Sequence, residues 1–126
     1  MTDEITITIP RERALYGVAH LVLGGLGIRM NLTIEYLEDL QLAIDSVLDR
    51  ARAGGDVTIG LRLEDGDMQV RIGPMYDGVR EELDAEEGDD VGLRRILAAL
   101  VDRVDVETDG AADWVKLTKS VDQQKS

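Results

Sequence analysis

The stretch LEDLQLAIDSVLDRA, Leu37–Ala51, decides how this chain is read. Leu37, Leu40, Ile44, Val47, Leu48 and Ala51 recur at the spacing of one helical face and form an apolar stripe. Thr33 is placed to cap the helix start, and Glu35 and Glu38 lie near the positive end of the helix dipole. Gly54-Gly55 is the expected stop. Beside the stripe runs a polar shoulder. Asp45, Ser46, Asp49 and Arg50 fall within about one turn of each other, which makes them a candidate site.

Upstream of this helix, Glu4–Ile9 (EITITI) alternates and is β-branched, which predicts a strand. Pro10 breaks the strand and suits the first turn of a helix. Residues 11–24 continue at helical spacing, with Leu15, Val18, Leu21 and Val22 on one face. Gly24, Gly25 and Gly27 are expected to end that helix. His20, alone on it, is expected to be a surface or edge histidine rather than a catalytic one.

Downstream, Asp56–Leu63 and Met68–Ile72 alternate as two strands around Glu64-Asp65-Gly66-Asp67, a hairpin signal. Gly73-Pro74 is expected to end the second, because proline donates nothing to a ladder. Seven of the ten residues Glu81–Asp90 are acidic, which predicts a solvated, self-repelling loop or short helix. Val91–Val101 is a helix with Leu93, Ile96, Leu97 and Leu100 inward, and Val104–Glu107 and Trp114–Thr118 are strands around Asp109-Gly110. Residues 1–120 thus form a single domain and 121–126 a polar, frayed tail. The order is β α α β β, an acidic segment, then α β β. Two hairpins demand antiparallel pairing, so the fold class is α+β, with helices on one face of a mixed or antiparallel sheet.

Composition narrows the function. In 126 residues there is no cysteine and one histidine, which excludes disulfides, thiolate chemistry and a polyhistidine metal site within one chain. The formal charge of −12 opposes nucleic acid and anionic membranes, whereas it suits basic protein partners. Phenylalanine is absent, and Trp114 with three tyrosines makes no stacking platform for bases. No apolar leader or membrane-length run is visible, so a soluble cytoplasmic protein is expected. There is no P-loop, G-x-G-x-x-G or G-x-S-x-G. Asp45 and Asp49 make a hard oxygen pair suited to a divalent cation, but Arg50 and Arg52 beside them oppose one.

Two segments together resemble a known family. Glu38–Ala51 is similar to the N-box helix of the anti-sigma factor serine-protein kinases, members of the histidine-kinase-like ATPase (GHKL, Bergerat-fold) superfamily. Val91–Val106 (VGLRRILAALVDRVDV) resembles their G2 box, the helix after it and the next strand. The order of elements matches as well. The resemblance implies a two-layer α/β sandwich, helices over one face of a mixed, mostly antiparallel sheet. It implies a bacterial, usually dimeric regulator of transcription in stress responses. Such proteins bind ATP and Mg²⁺ under a lid, sequester a sigma factor, and in many cases phosphorylate a serine on a STAS-domain anti-anti-sigma partner. The first helix contributes to dimer and sigma contacts, which makes exposed apolar positions near Tyr16–Leu26 candidates for the partner surface.

The chain departs from the family pattern where chemistry is done. The family N-box is roughly L-A-V-D-E-x-x-x-N, its Glu the general base and its Asn the Mg²⁺ ligand. Without a gap, Asp45 keeps the Asp, Ser46 stands for the Glu and Arg50 for the Asn. Serine is a poor base without an activating neighbour, and a guanidinium has no lone pair for Mg²⁺. The adenine-reading Asp of the G1 box falls at Gly73, and Asp77-Gly78 comes four residues later. The Gly-Thr that supports that Asp is replaced by Ala112-Asp113, whereas Gly92-Leu93 of the G2 box is kept. The lid segment is acidic, which repels a triphosphate.

The expectation is therefore an anti-sigma-like regulator without nucleotide chemistry, with no catalytic residue, metal or cofactor. If nucleotide binding is retained, Arg50, Gly73, Asp77, Gly78, Gly92, Leu93 and Asp113 are its residues. The alternative is an active ATP- and Mg²⁺-dependent serine kinase using Asp45 or Asp49 as base, with Arg50 on phosphate. A third reading is an unrelated small α+β interaction protein. The kinase reading expects a pocket lined by Asp45, Asp49 and Arg50. The degenerate one expects Met75 or the acidic segment to fill it.

Overall fold

The computed structural model describes residues 4–49, 55–75, 92–110 and 112–121. Strand β1 (Glu4–Pro10) leads through a short 3-10 turn (Arg13–Leu15) into helices α1 (Tyr16–Met30) and α2 (Ile34–Leu48). The hairpin β2 (Asp56–Glu64) and β3 (Asp67–Met75) follows, then helix α3 (Leu93–Leu100) and the hairpin β4 (Arg103–Asp109) and β5 (Ala112–Ser120). The sheet order is β1-β2-β3-β5-β4, and every described pairing is antiparallel. The fold is α+β, three helices packed on one face of a five-stranded sheet in a two-layer sandwich, as the element order implied.

The core lies between the layers. Leu23 of α1, Leu40 and Ile44 of α2 and Leu97 of α3 meet Ile59, Val70, Ile72 and Leu117 of the sheet, all with at most 1% of their surface exposed. Each such side chain contributes about 1.5–3 kcal/mol relative to an exposed one. No polar or charged residue is buried among the described residues. The β2–β3 turn takes positive φ at Asp65 (55°) and Gly66 (82°), the pair of left-handed positions a two-residue hairpin turn needs.

Helix α2 is the helix of the opening stretch. Thr33 Oγ1 accepts the N–H of Tyr36 at 3.1 Å, the expected cap. The described helix runs to Leu48, and residues 50–54, with Arg50 and Ala51, lie outside the described residues.

Helix α1 departs further from expectation. It starts at Tyr16, not at 11, because β1 extends through Pro10 and the 3-10 turn intervenes. It runs through Gly24, Gly25 and Gly27 and stops only at Asn31, which takes the left-handed conformation (φ 62°) with its N–H on the Gly27 carbonyl. Glycine costs about 1 kcal/mol per helix position relative to alanine, and burial of Ala19, Leu23 and Leu26 outweighs that. The inward face is therefore not the expected one. Leu21 points to solvent, and Val18 is exposed.

Strand β3 also outruns its predicted end. It continues through Gly73-Pro74 to Met75, because the register with β5 shifts between Ile72 and Met75 and the proline falls in that irregularity, where no ladder donor is lost. Strand β5 extends to Ser120, and the Val121 N–H bonds the Gly66 carbonyl at 2.8 Å. The tail beyond it, like the acidic segment 81–90, lies outside the described residues.

Candidate functional site

The sandwich has two ends. At one, the C-terminus of α2, the end of β3, the start of α3 and the start of β5 come together. The Arg11 guanidinium donates to the Pro74 carbonyl there, and Met75 stands opposite Asp113 in the sheet. The topology thus gathers Asp45, Ser46, Asp49, Gly73, Gly92, Leu93 and Asp113 toward one end, though they come from separate segments. Arg50, Asp77 and Gly78 lie outside the described residues.

The polar shoulder of α2 is engaged by neighbours. Asp45 Oδ1 lies 2.9 Å from His20 Nε2 of α1. Asp49 Oδ1 accepts from Arg13 Nη2 at 2.9 Å. The hydrogen bond and charge of Asp49 raise the Arg13 guanidinium above its already high range. Ser46 Oγ donates to the Leu42 carbonyl one turn back at 2.8 Å. That is the local back-bond serine makes within helices, and it activates nothing. Tyr16 closes the cluster, its hydroxyl donating to the Leu48 carbonyl at 3.2 Å. Partial burial pushes this phenol up, with a smaller push from the Asp49 charge.

His20 is thus half-exposed, as an edge histidine should be, but it is also the partner of a shoulder carboxylate. Neither His20 nor Arg13 was anticipated in that role. A signal was available: in an antiparallel helix pair, residues about equidistant from the connecting turn face each other, and with the connection spanning residues 31–33 this sets His20 near Ile44 and Asp45.

Elsewhere the site candidates serve packing. Gly73 alternates with the buried Ile72, which sets it on the open face of the sheet. There a Cβ would come within 2.6 Å of the Trp114 ring, so the absence of a side chain lets the indole lie against the strand. Arg71 stacks on that ring from above, 4.8 Å from its centroid. Gly92 is the N-cap of α3, its carbonyl accepting the N–H of Arg95 and of Ile96 at 3.1 Å. Leu93 is fully buried in the core. Asp113 Oδ1 accepts from Thr108 Oγ1 at 2.9 Å across the β4–β5 pair. Met75 is buried in the common core.

These residues do not fit Mg²⁺. A magnesium site needs free, hard oxygens in near-octahedral array, whereas Asp49 Oδ1 is paired with the Arg13 guanidinium and Asp45 Oδ1 lies 2.9 Å from His20 Nε2. Among the described residues no cluster of three or more His, Cys, Asp or Glu side chains is placed to hold a metal.

The outer surface of the helix layer is the second feature. Leu21 (78% exposed) and Ile28 (85%) of α1, with Ile34 (71%) and Leu42 (55%) of α2, face away from the buried stripes. Gly17, Gly24 and Gly25 lie among the α1 pair, and a Cβ added at any of them meets nothing within 4 Å. Packing among the described residues does not account for these glycines. Among the described residues no helix is long and apolar enough to cross a membrane.

Fold and site together define a small helix-over-sheet sandwich with a crowded polar shoulder at one end and an apolar outer helix face. Comparison with known proteins gives a relative. Over 77 residues the chain is 27% identical to the serine-protein kinase RsbW of Oceanobacillus iheyensis, a match covering 56% of this chain and 49% of the relative. The chain therefore matches only about half the relative's length. No protein-family model matches it.

Proposed function

We propose that this protein is an anti-sigma-like regulator that works by binding other proteins, without ATP, Mg²⁺ or kinase chemistry. The carrying observation is the engaged shoulder. Asp45 is held by His20, Asp49 by Arg13, and the Ser46 hydroxyl by its own helix, so no described group is poised as a base or a metal ligand. The exposed Leu21, Ile28, Ile34 and Leu42 supply a contact surface in keeping with a sigma factor, a STAS-domain partner or a second copy of the chain. Similarity to an RsbW kinase supports the regulatory context. It also favours the second reading, an active serine kinase, since that is the relative's named activity. The cytoplasm is the compartment in which such a regulator acts.

Affinity capture from the native host, with bound proteins identified by mass spectrometry, tests the proposal. A sigma factor or STAS protein is the expected catch, and Leu21→Ser/Ile28→Ser is expected to lose it while Ser46→Ala retains it. Capture of neither class, or capture insensitive to the double substitution, overturns the reading.

A further inference from the structure

The outer face of α1 has a shape, and its two flanks differ in charge. Gly17, Leu21, Gly24 and Ile28 follow one another at helical spacing, so they form a single row along the helix. In that row the exposed Leu21 and Ile28 stand up, and Gly17 and Gly24 leave notches that no other side chain enters. A row of this kind lets a second helix approach closely and seats apolar anchors spaced one and two turns apart. From Gly17 to Ile28 it is about 16 Å long, roughly three turns of a partner helix.

Helix α2 forms one flank of the row. Gly27 faces Leu37 and His20 reaches Asp45, so the outward residues of α2 run alongside. They are Ile34, Glu35, Glu38 and Leu42, all exposed. Asp45 and Asp49 further along are met by His20 and Arg13, whereas Glu35 and Glu38 enter no ion pair among the described residues. The helix dipole favours Glu35 in the first turn, but its effect fades before Glu38. The opposite flank of the row is different. Helix α1 carries no acidic residue, and there Val18 and Gly25 are followed only by Arg29. A second copy of the chain would bring the same carboxylates to the contact with little but Arg29 to meet them. A helix with lysines or arginines on one side matches both the apolar row and the acidic flank.

We propose that this face seats one amphipathic helix of a partner protein, its apolar side on Leu21 and Ile28 and its basic flank over Glu35 and Glu38. This rests on the protein-binding role proposed above and adds to it the chemistry of the partner.

The test is titration of the ¹⁵N-labelled full chain with two lactam-bridged helical peptides of about 18 residues, enough to cover the row. Both carry the same leucine face, one with lysines along a single flank and the other with glutamates there. Saturable one-to-one shifts at Leu21, Gly24, Ile28 and Leu42 are expected with the lysine peptide, and the glutamate peptide should bind at least tenfold more weakly. Gly24→Leu fills a notch in which an added Cβ meets nothing within 4 Å, so it spares the fold, and it is expected to weaken the lysine peptide at least fivefold. Glu38→Lys should weaken it at least fivefold, whereas Asp56→Lys, the same charge change on an exposed residue of β2, should change it less than twofold. Equal binding of the two peptides, equal effects of Glu38→Lys and Asp56→Lys, indifference to Gly24→Leu, or a dimer through this face that shuts the peptide out overturns the proposal. Capture of a sigma factor or STAS protein that Leu21→Ser/Ile28→Ser abolishes and Glu38→Lys leaves intact would also overturn it, while the protein-binding role would stand.

Discussion

Helices α1 and α2 are the same length, 15 residues each, and lie side by side on the same sheet, yet their sequences obey different demands. Helix α2 is amphipathic and capped, and its buried residues Tyr36, Leu40, Ala43, Ile44, Val47 and Leu48 form one clean stripe. Its sequence is explained by the chain's own core. Helix α1 buries Ala19, Leu23, Leu26 and Gly27 but leaves Leu21 and Ile28 in solvent. It also carries Gly17, Gly24 and Gly25 where side chains would fit without contact. These choices cost helix stability and meet no compensating contact among the described residues. They become intelligible if another protein packs against α1, where a smooth, apolar surface permits close approach.

The largest effect that sharpens this contrast is in the core. Leu40→Ala is expected to destabilise by about 2–5 kcal/mol, whereas Leu21→Ala in the isolated chain should stay within about 0.5 kcal/mol. Urea unfolding of both variants checks the difference, and a comparable loss at Leu21 would break it.

Next comes the lock that holds α2 onto β5. The Tyr36 hydroxyl donates to the Lys119 carbonyl at 2.7 Å, and the Lys119 ammonium sits over the Tyr36 ring, 5.2 Å from its centroid. Tyr36→Phe is expected to cost about 1 kcal/mol. Burial pushes the Tyr36 phenol up, with smaller pushes from Asp102 and Asp67. The unfolded chain ionises this tyrosine near pH ~10 while the folded one keeps its proton. The contribution is therefore whole below about pH 10 and declines as pH rises beyond it. Wild-type stability should fall with pH in that range more steeply than that of Tyr36→Phe, and equal slopes in a pH series of urea melts would contradict the burial of this group.

Glycine substitutions are the finer probe. Gly24→Ala and Gly25→Ala should each stabilise by about 0.5–1 kcal/mol, since the added methyl meets nothing. Gly27→Ala should show no such gain, because its Cβ would fall 2.5 Å from Leu37 Cδ1 at the α1–α2 crossing. Thermal melts of the three variants order them. The stabilised Gly24 and Gly25 variants are nevertheless expected to bind partners less well. The smallest effect belongs to His20→Ala, within about 1 kcal/mol, because the His20–Asp45 pair is partly solvated. A larger loss in a melt at neutral pH would give that pair a structural weight its exposure does not suggest.

The same contrast explains what the sequence disclosed. The α2 stripe, both hairpins and the inward face of α3 were legible because local pattern and tertiary burial agree there. The course of α1 was not, because it is apolar nearly all round and carries glycines that mimic a stop. The end of β3 was misplaced because Gly73-Pro74 looks like a terminator unless the strand irregularity is known. At the candidate site, the convergence of segments followed from family resemblance. That Ser46 turns back on Leu42, or that Gly73 makes room for Trp114, depends on side-chain directions that spacing alone does not supply.

The central claim is that the shoulder of α2 has given up nucleotide chemistry while the outer face of α1 serves partners. Calorimetric titration of the purified chain with ATP in the presence of Mg²⁺ tests it most directly. The account predicts no saturable heat as nucleotide rises into the millimolar range. A one-to-one isotherm with micromolar affinity would contradict it and restore the kinase reading.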